Sequence, residues 1–280
     1  MPGLDAARPL GPIQWRPSQM PLIMGIINVT PDSFSDGGQF IAADAALAHA
    51  RQLAEQGAHI LDIGGESTRP DATPVNESEE LARVLPAIRA IIEQDLGCAL
   101  SIDTYKANVA AKALEAGVHI VNDVWGLQRD PDIAKAAADH QAPVIINHWE
   151  TEKQAGLGLI DQMKAFFDRS IAIAQAAGLS EDRIILDPGI GFGKDLDDNL
   201  VILNGLETLI GWGYPLLIGT SRKRFIGALT GREAQDRVHG TVASNVLALE
   251  KGASIFRVHD VAAHKDALAV AGAILNPQGS

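Results

Sequence analysis

Residues 24–38 read MGIINVTPDSFSDGG and pass abruptly from an apolar run to a polar, glycine-containing loop. The apolar run 22–27 is too short and too continuous for an amphipathic helix, so it predicts a strand buried on both faces. Pro31 lacks a backbone N–H and biases Thr30 towards an extended conformation, which ends the strand nearby. Loops of this kind at the C-terminal ends of buried parallel strands carry the chemistry of α/β enzymes, although an ordinary surface connection has a similar composition.

From Leu22 onward, short apolar runs alternate with longer amphipathic runs. The predicted strands are 22–28, 59–64, 99–103, 119–124, 143–148, 184–188, 215–220 and 255–259. The predicted helices are 42–56, 77–94, 107–116, 130–140, 160–177, 196–211, 234–250 and 260–275. A glycine follows four of these helices, at positions 57, 117, 178 and 252, as is typical of helix C-termini.

This alternation predicts a single (β/α)8 TIM barrel over residues 21–280, preceded by an arm, irregular or a short hairpin, over residues 1–20. A doubly wound open sheet is the alternative architecture. It would need a glycine-rich dinucleotide turn after an early strand, and the sequence has no turn with that spacing.

Composition narrows the class of partner. The net charge is −12 and the pI is about 5.0, which argues against nucleic acid or an anionic membrane as the main partner. A single cysteine, Cys98, excludes an internal disulfide and suits a reducing cytoplasm. We expect neither a membrane span nor a signal peptide, because no apolar run approaches about 18 residues and the N-terminus lacks a basic-then-apolar pattern.

Polar side chains stand at the C-terminal end of every predicted strand. Because these ends converge on one rim of a barrel, and because buried polar groups are costly unless paired, we expect them to form one site. Helix N-caps are the favoured interpretation of Asp123, Asp195 and Asp260. The spacing of His, Asp and Glu suggests no all-protein metal cage. The strand-end residues are Asn28, Asp62, Asp103, Asn122, Asp123, Asn147, His148, Asp187, Ser221, Arg222, Lys223, Arg257, His259 and Asp260.

Two kinds of chemistry are present among these residues and the neighbouring loop 64–70. Asp103, Asn122 and Asp187 supply acceptors and an amide suited to a flat heterocycle that bears N–H donors and a carbonyl. A cationic and hydroxyl-rich set is suited to phosphate. The loop 64–70, GGESTRP, permits close backbone approach, although a solvated surface turn is the alternative. The phosphate set comprises Ser67, Thr68, Arg69, Lys223, Arg257 and His259.

The segments 26–38, 62–70, 101–104, 122–124, 187–194, 221–223 and 257–260 resemble, in this order, the motifs of the dihydropteroate synthases. The resemblance covers about residues 22–275. It implies a TIM barrel that condenses 6-hydroxymethyl-7,8-dihydropterin diphosphate with 4-aminobenzoate, giving 7,8-dihydropteroate and diphosphate in folate synthesis. It further implies a cytoplasmic, Mg²⁺-dependent homodimer that is a target of sulfonamides.

The resemblance also implies site residues. The pterin would be bound by Asp103, Asn122, Val124, Asp187, Phe192 and Lys223. The diphosphate would be bound by Asn28, Ser67, Thr68, Arg69, Arg257 and His259, with Mg²⁺ on Asn28. The aminobenzoate site would comprise Phe34, Thr68, Pro70, Ser221 and Arg222. Asp103, Lys223, Arg257 and His259 would be catalytic, with Asp103 stabilising a developing cation without a covalent enzyme intermediate.

The sequence departs from the family at residues 147–149. The family usually has a Met-His-Met type of sequence, whereas this chain has Asn147, His148 and Trp149. Asn147 replaces an apolar side chain expected to pack on the pterin, which bears on affinity more than on reaction type. The alternative functions are a non-catalytic pterin-binding paralogue and a pterin-dependent methyltransferase domain. The second has no use for a diphosphate site.

Overall fold

The computed structural model describes residue 4 and residues 6–29, 38–67, 73–152 and 156–276 of the chain. An antiparallel hairpin of β1 (Arg8–Leu10) and β2 (Ile13–Trp15) comes first. The parallel strands that follow are β3 (Leu22–Asn28), β4 (Ile60–Gly64), β5 (Ala99–Asp103), β6 (Ile120–Asp123), β7 (Val144–Asn147), β8 (Ile184–Asp187), β9 (Leu217–Ile218) and β10 (Ile255–Val258).

The parallel strands form a closed barrel. Within the described residues the sheet has eight strands in the order β8-β7-β6-β5-β4-β3-β10-β9. A parallel bridge between Leu186 and Leu216 joins the two edge strands. The (β/α)8 prediction is therefore confirmed, and every predicted strand is found. β9 is shorter than the predicted 215–220, and it begins after Pro215, which has no backbone N–H to donate.

Helices surround the barrel, and most lie within a few residues of their predicted bounds. They are α1 (Gly38–Gln56), α2 (Glu77–Ile92), α3 (Ala107–Glu115), α4 (Asp132–Asp139), α5 (Leu159–Ala176), α6 (Leu196–Asn204), α7 (Leu206–Ile210), α8 (Arg224–Thr230), α9 (Val238–Glu250) and α10 (Val261–Leu275). The predicted helix 196–211 is divided at Gly205, and α8 was not predicted because its seven residues are too few to show a helical period.

Helix ends are marked by a side-chain cap and by glycines. Asn76 accepts a hydrogen bond from the backbone N–H of Glu79 and caps α2. The four glycines predicted at helix ends, Gly57, Gly117, Gly178 and Gly252, have φ values of 100°, 105°, 89° and 97°, which other residues rarely adopt. The four chain reversals that the sequence marked with a glycine therefore begin where it indicated.

An apolar layer fills the barrel lumen at the N-terminal ends of the parallel strands, and the β1–β2 hairpin covers this end of the barrel. Trp15 and Leu10 are buried against the lumen-facing residues of the parallel strands. The hairpin is one of the two forms predicted for the arm, and the division into arm and single domain stays a prediction. The lumen-facing residues of this layer are Leu22, Met24, Ile60, Ala99, Ile120, Ile145, Ile185, Leu217 and Ile255.

The polar layer of the lumen follows from strand geometry. Side chains two positions apart on a strand share a face, so each strand that contributes an apolar residue also presents the residue two positions further towards its C-terminal end. The layer above the apolar one therefore contains Asp62, Ser101, Asn122, Asn147, Asp187, Gly219 and Arg257.

Candidate active site

Arg257 and two carboxylates form an ion-pair network across the lumen. Arg257 Nε donates to Asp62 Oδ2 at 2.6 Å, and its Nη2 donates to Asp103 Oδ2 at 2.7 Å. The amide of Asn122 donates to the same Asp62 oxygen at 3.1 Å. The strands β4, β5, β6 and β10 thus contribute to one network, which fixes the guanidinium in a single orientation.

Burial sets the charge of this network. It raises the pKa of Asp103 to about 7, although Arg257 lowers it, and the nearby Asp62 carboxylate raises it further. Burial alone would lower the pKa of Arg257, but Asp62 and Asp103 raise it above its ordinary value. Arg257 is therefore a permanent cation, whereas Asp103 changes its charge near neutral pH.

Lys223 and Asp187 form the second charged centre of the lumen. Burial lowers the pKa of Lys223 to about 8, and Asp187 raises it. A side chain at Gly219 would contact both the Lys223 ammonium, at 3.8 Å, and Asp187 Oδ2, at 3.9 Å. Gly219, which directly follows β9, therefore leaves room beside the Lys223 ammonium and the Asp187 carboxylate.

Phe192 lies over the same lysine. The Lys223 ammonium is 4.5 Å from the centroid of the Phe192 ring, a cation–π contact. Lys223 also donates to the backbone carbonyl of Ile190, and Asp187 accepts from the backbone N–H of Gly189 at 2.7 Å. The glycine-rich segment after β8 is thus tied to the lumen at two points, with an aromatic face beside the charged pair.

Ser221 and His259 contact each other at the rim. Ser221 Oγ lies 2.9 Å from His259 Nδ1 and accepts from the His259 backbone N–H at 3.1 Å. Arg222 has a φ of 58° and binds Asp260 through Nε at 3.1 Å and Nη2 at 2.6 Å. The ends of β9 and β10 are therefore joined by two side-chain contacts.

The segment after β4 is anchored by a buried cation. Lys106 binds both Glu66 and Glu80, and Glu80 is fully buried. The hydroxyl of Tyr105 donates to Glu66 at 2.9 Å. Half-buried Ser67 follows immediately, so the start of the predicted phosphate loop has a fixed base. Four predicted site residues lie outside the described residues, namely Phe34, Thr68, Arg69 and Pro70.

Asn147 is a buried residue of the lumen whose side chain donates one hydrogen bond. It is 1% exposed, and its amide nitrogen donates to the backbone carbonyl of Val124 at 2.8 Å. Its oxygen Oδ1 is buried without a hydrogen-bond partner among the residues that the structure describes. Asn147 thus holds the backbone of Val124, a predicted pterin residue.

The helix N-cap predictions have different outcomes. Asp195 caps α6 and forms a capping box with Asp198, as predicted. Asp260 occupies the N-cap position of α10 as predicted, but its carboxylate binds Arg222 and makes no cap hydrogen bond. The prediction for Asp123 is wrong, since it accepts from the backbone N–H groups of a turn, at Trp125 and Leu127, and no described helix starts there.

The side chain of Asn28 has the chemistry of a ligand to a cation that is shared with substrate phosphates. Among the described residues there is no group of three or more His, Cys, Asp or Glu side chains that could hold a metal ion. Mg²⁺ often binds one or two protein ligands together with substrate phosphates and waters. Asn28 is exposed at the end of β3, on the lumen face, so its amide oxygen fits a site of this type.

Sequence reasoning left three contributors out of the assigned site. Asp62 stood among the strand ends but received no role, although strand alternation puts it on the same lumen layer as Arg257. Lys106 carried no motif that linked it to Glu66. The stacking of Trp125 on Trp149, with ring centroids 4.2 Å apart, had no sequence signal, because the two residues follow different strands.

Comparison with known proteins agrees with this geometry. Residues 24–259 match the family model described as pterin binding enzyme. The chain is 50% identical over 240 residues to the dihydropteroate synthase of Bacillus subtilis, covering 86% of this chain and 84% of that protein. No described helix is long and apolar enough to cross a membrane.

Solved structures give the same result at the level of the fold. The dihydropteroate synthase of Clostridium difficile, solved in the presence of pteroic acid, has a TM-score of 0.88 and 46% identity, covering 92% of this chain and 97% of that one. The Xanthomonas albilineans dihydropteroate synthase with 4-aminobenzoic acid has a TM-score of 0.85 and 46% identity, covering 91% and 93%. The chain therefore belongs to the pterin-binding enzymes and, within them, to the dihydropteroate synthases.

Proposed function

We infer that this chain joins 6-hydroxymethyl-7,8-dihydropterin diphosphate to 4-aminobenzoate, releasing diphosphate and 7,8-dihydropteroate. The observation that carries this function is the lumen network in which Arg257 binds Asp62 and Asp103 beside Asn122. It puts carboxylate and amide acceptors for a heterocycle directly beside a cation for a departing phosphate.

Pterin recognition falls to the polar lumen residues. Asp103, Asn122 and Asp187 would accept from the ring N–H groups, and Lys223 would donate to its carbonyl. Phe192 would cover one ring face beside Lys223, to which it is already close. Val124 would line the slot with its backbone fixed by Asn147.

The reaction breaks the bond between the pterin methylene carbon and the diphosphate oxygen, whose electron pair leaves with the diphosphate. It forms a bond from that carbon to the amine nitrogen of 4-aminobenzoate, which loses one proton. Positive charge develops on the pterin as the diphosphate leaves, and ionised Asp103 would stabilise it. Arg257, His259 and Ser67 would bind the departing diphosphate. Mg²⁺, when bound by Asn28 and the diphosphate, would neutralise part of the leaving group's charge.

The aminobenzoate would lie over the joined ends of β9 and β10. Ser221 lies in the segment between β9 and α8, so the backbone N–H groups near it could bind the benzoate carboxylate. Arg222, held by Asp260, would form the adjacent wall. Phe34, Thr68 and Pro70 remain predicted members of this site.

A diphosphate-release assay tests the function. We expect release from the dihydropterin diphosphate to depend on 4-aminobenzoate and to fall after Mg²⁺ is chelated. A sulfonamide should inhibit it in competition with 4-aminobenzoate. A pterin-binding protein that releases no diphosphate with both substrates present would instead be the non-catalytic paralogue.

We also propose that the protein is a cytoplasmic homodimer. α9 and α10 pack side by side, and they expose Leu247, Val270 and Ile274, whose exposed fractions are 57%, 62% and 72%. A second copy of the chain would bury these apolar side chains. Sedimentation of the wild type and of Ile274→Glu tests this, since the variant should be monomeric. The single thiol, Cys98, suits a reducing compartment, which cell fractionation would check.

A further inference from the structure

Trp149 is the second residue after β7 and contacts aromatic rings from two neighbouring loops. Its ring stacks on Trp125 with centroids 4.2 Å apart and planes 13° from parallel. It also contacts Phe192, at 4.9 Å and 48°. The three rings belong to the loops after β6, β7 and β8, so Trp149 connects three consecutive loops at the rim of the barrel.

The loop that carries Phe192 depends on contacts from outside itself. Gly189, Gly191 and Gly193 have φ values of 67°, 83° and 63°, which only glycine adopts readily. A segment with three such residues has a large conformational entropy to lose when it is ordered. Side chains from other loops can supply the compensating contacts.

Two contacts join this loop to the end of β7. The ammonium of Lys194 donates to the backbone carbonyl of Phe192 at 3.0 Å and to that of His148 at 3.1 Å, so it joins the two loops through their main chains. Trp149 joins them a second time through the Phe192 ring. The main-chain contact fixes the path of the loop, whereas the ring contact fixes the direction of the aromatic side chain.

The direction of the Phe192 ring matters because Lys223 lies against it. The Lys223 ammonium is 4.5 Å from the ring centroid. On the outer side, the guanidinium of Arg129 lies 4.8 Å from the Trp125 ring. Two cations therefore bracket a row of three aromatic rings, and Trp149 is the middle ring.

We propose that Trp149, supported by Trp125, is a positioning residue for the pterin slot, which holds the Phe192 ring against Lys223. Trp149 stands where the family usually has methionine, and this inference rests on the proposed function. Trp149 acts through Phe192, so its loss should affect binding of the pterin more than the chemical step.

The test compares Trp149→Ala and Trp149→Phe with Trp212→Phe as a matched control. Trp212 contacts Phe167 and lies outside the site. We expect Trp149→Ala to raise KM for the dihydropterin diphosphate about tenfold, with kcat within about twofold, and to speed amide exchange of residues 189–194. Trp149→Phe should restore both the KM and the amide exchange of residues 189–194, since a smaller ring still reaches Phe192. The control should match the wild type.

The outcomes separate this inference from the proposed function. Wild-type KM and wild-type exchange in Trp149→Ala would overturn the inference, as would an equal rise in both substrates' KM that Trp149→Phe does not reverse. If the wild type releases no diphosphate, the proposed function fails. The exchange of residues 189–194 in the same variants then still decides whether Trp149 holds the Phe192 loop.

Discussion

The Nη2 atom of Arg257 lies 2.7 Å from Oδ2 of Asp103, which connects the last strand of the barrel to the third parallel strand across the lumen. Burial raises the pKa of this carboxyl to about 7, and the guanidinium opposes that rise. Asp103 is therefore ionised only above about neutral pH, and Arg257 keeps the pKa from lying higher.

The acidic limb of the pH–activity profile should therefore move to higher pH when Arg257 is removed. With ionised Asp103 stabilising the developing cation, kcat/KM should fall as the pH drops through about 7. Arg257→Gln removes the group that lowers this pKa, so the limb should move to higher pH. A pH profile of diphosphate release measures it. An acidic limb at the same pH in both proteins would assign the limb to another group.

The alkaline limb should report Lys223. Burial lowers its pKa to about 8, and the carboxylate of Asp187 raises it. The charged form is present below this pKa and is lost as the pH rises, so kcat/KM should fall above about pH 8. Asp187→Asn removes the raising contribution and should move the limb to lower pH. The prediction fails if the limb stays in place or moves upward.

Asp62→Asn should impair catalysis through Arg257. Asp62 is fully buried, and one of its oxygens accepts from both Arg257 and Asn122. Loss of a charge-assisted hydrogen bond costs about 1.5–3 kcal/mol, or roughly ten- to a hundredfold in kcat/KM. The free energy of unfolding should fall as well, because the substitution removes one partner of a buried ion pair, although Arg257 keeps its contact with Asp103.

A surface carboxylate supplies the control for Asp62. Asp139 pairs with Lys135 on α4, and both side chains are more than half exposed. Asp139→Asn should leave kcat/KM unchanged, because exposed ion pairs contribute about 0–1 kcal/mol to stability and Asp139 lies outside the site. If both variants lose activity equally, the Asp62 effect is one of net charge and the assigned role is wrong.

Lys106→Met should destabilise the fold strongly. It leaves Glu80, which is fully buried, without its cation and also frees Glu66 at the base of the phosphate loop. Breaking a buried ion pair by removing one partner costs about 3–5 kcal/mol. Urea unfolding should show this loss, with Lys135→Met within about 0.5 kcal/mol of the wild type. A small loss for Lys106→Met would show that water reaches the Glu80 carboxylate.

The architecture was predictable because the apolar runs and the helix-end glycines indicate the same alternation of strands and helices. Apolar runs marked every strand, and glycines such as Gly57 and Gly117 marked helix ends. The short helix α8 and the division at Gly205 were not predictable, since they lie below the length at which a hydrophobic period can be recognised. The strand ends indicated where the polar residues would converge, although they did not indicate which residues pair.

Pairing in the site depends on side chains that are distant in sequence. Asp260 was expected to cap a helix, and although it stands at the N-cap position of α10, its carboxylate binds Arg222 from the preceding strand end. The partners of Asp62 could have been inferred from strand alternation, because residues 62 and 257 occupy the same lumen layer. The contact between Trp125 and Trp149 could not, since stacking depends on the conformations of two irregular loops.

Asn147 gives the final prediction, in which two opposing costs are compared. Asn147→Met removes the hydrogen bond to the Val124 carbonyl and leaves that carbonyl unpaired, but it also removes the buried, unpartnered Oδ1. Each unsatisfied buried group costs about 1–3 kcal/mol, so the free energy of unfolding should change by less than about 1 kcal/mol.

Asn147→Asp keeps the volume and replaces the donor with a second oxygen that faces the carbonyl. It should lower the free energy of unfolding by about 2 kcal/mol or more and weaken pterin binding, because Val124 loses its anchor. Chemical denaturation and titration with the dihydropterin diphosphate measure both effects. Equal stability of the two variants would mean that the amide of Asn147 does not hold Val124.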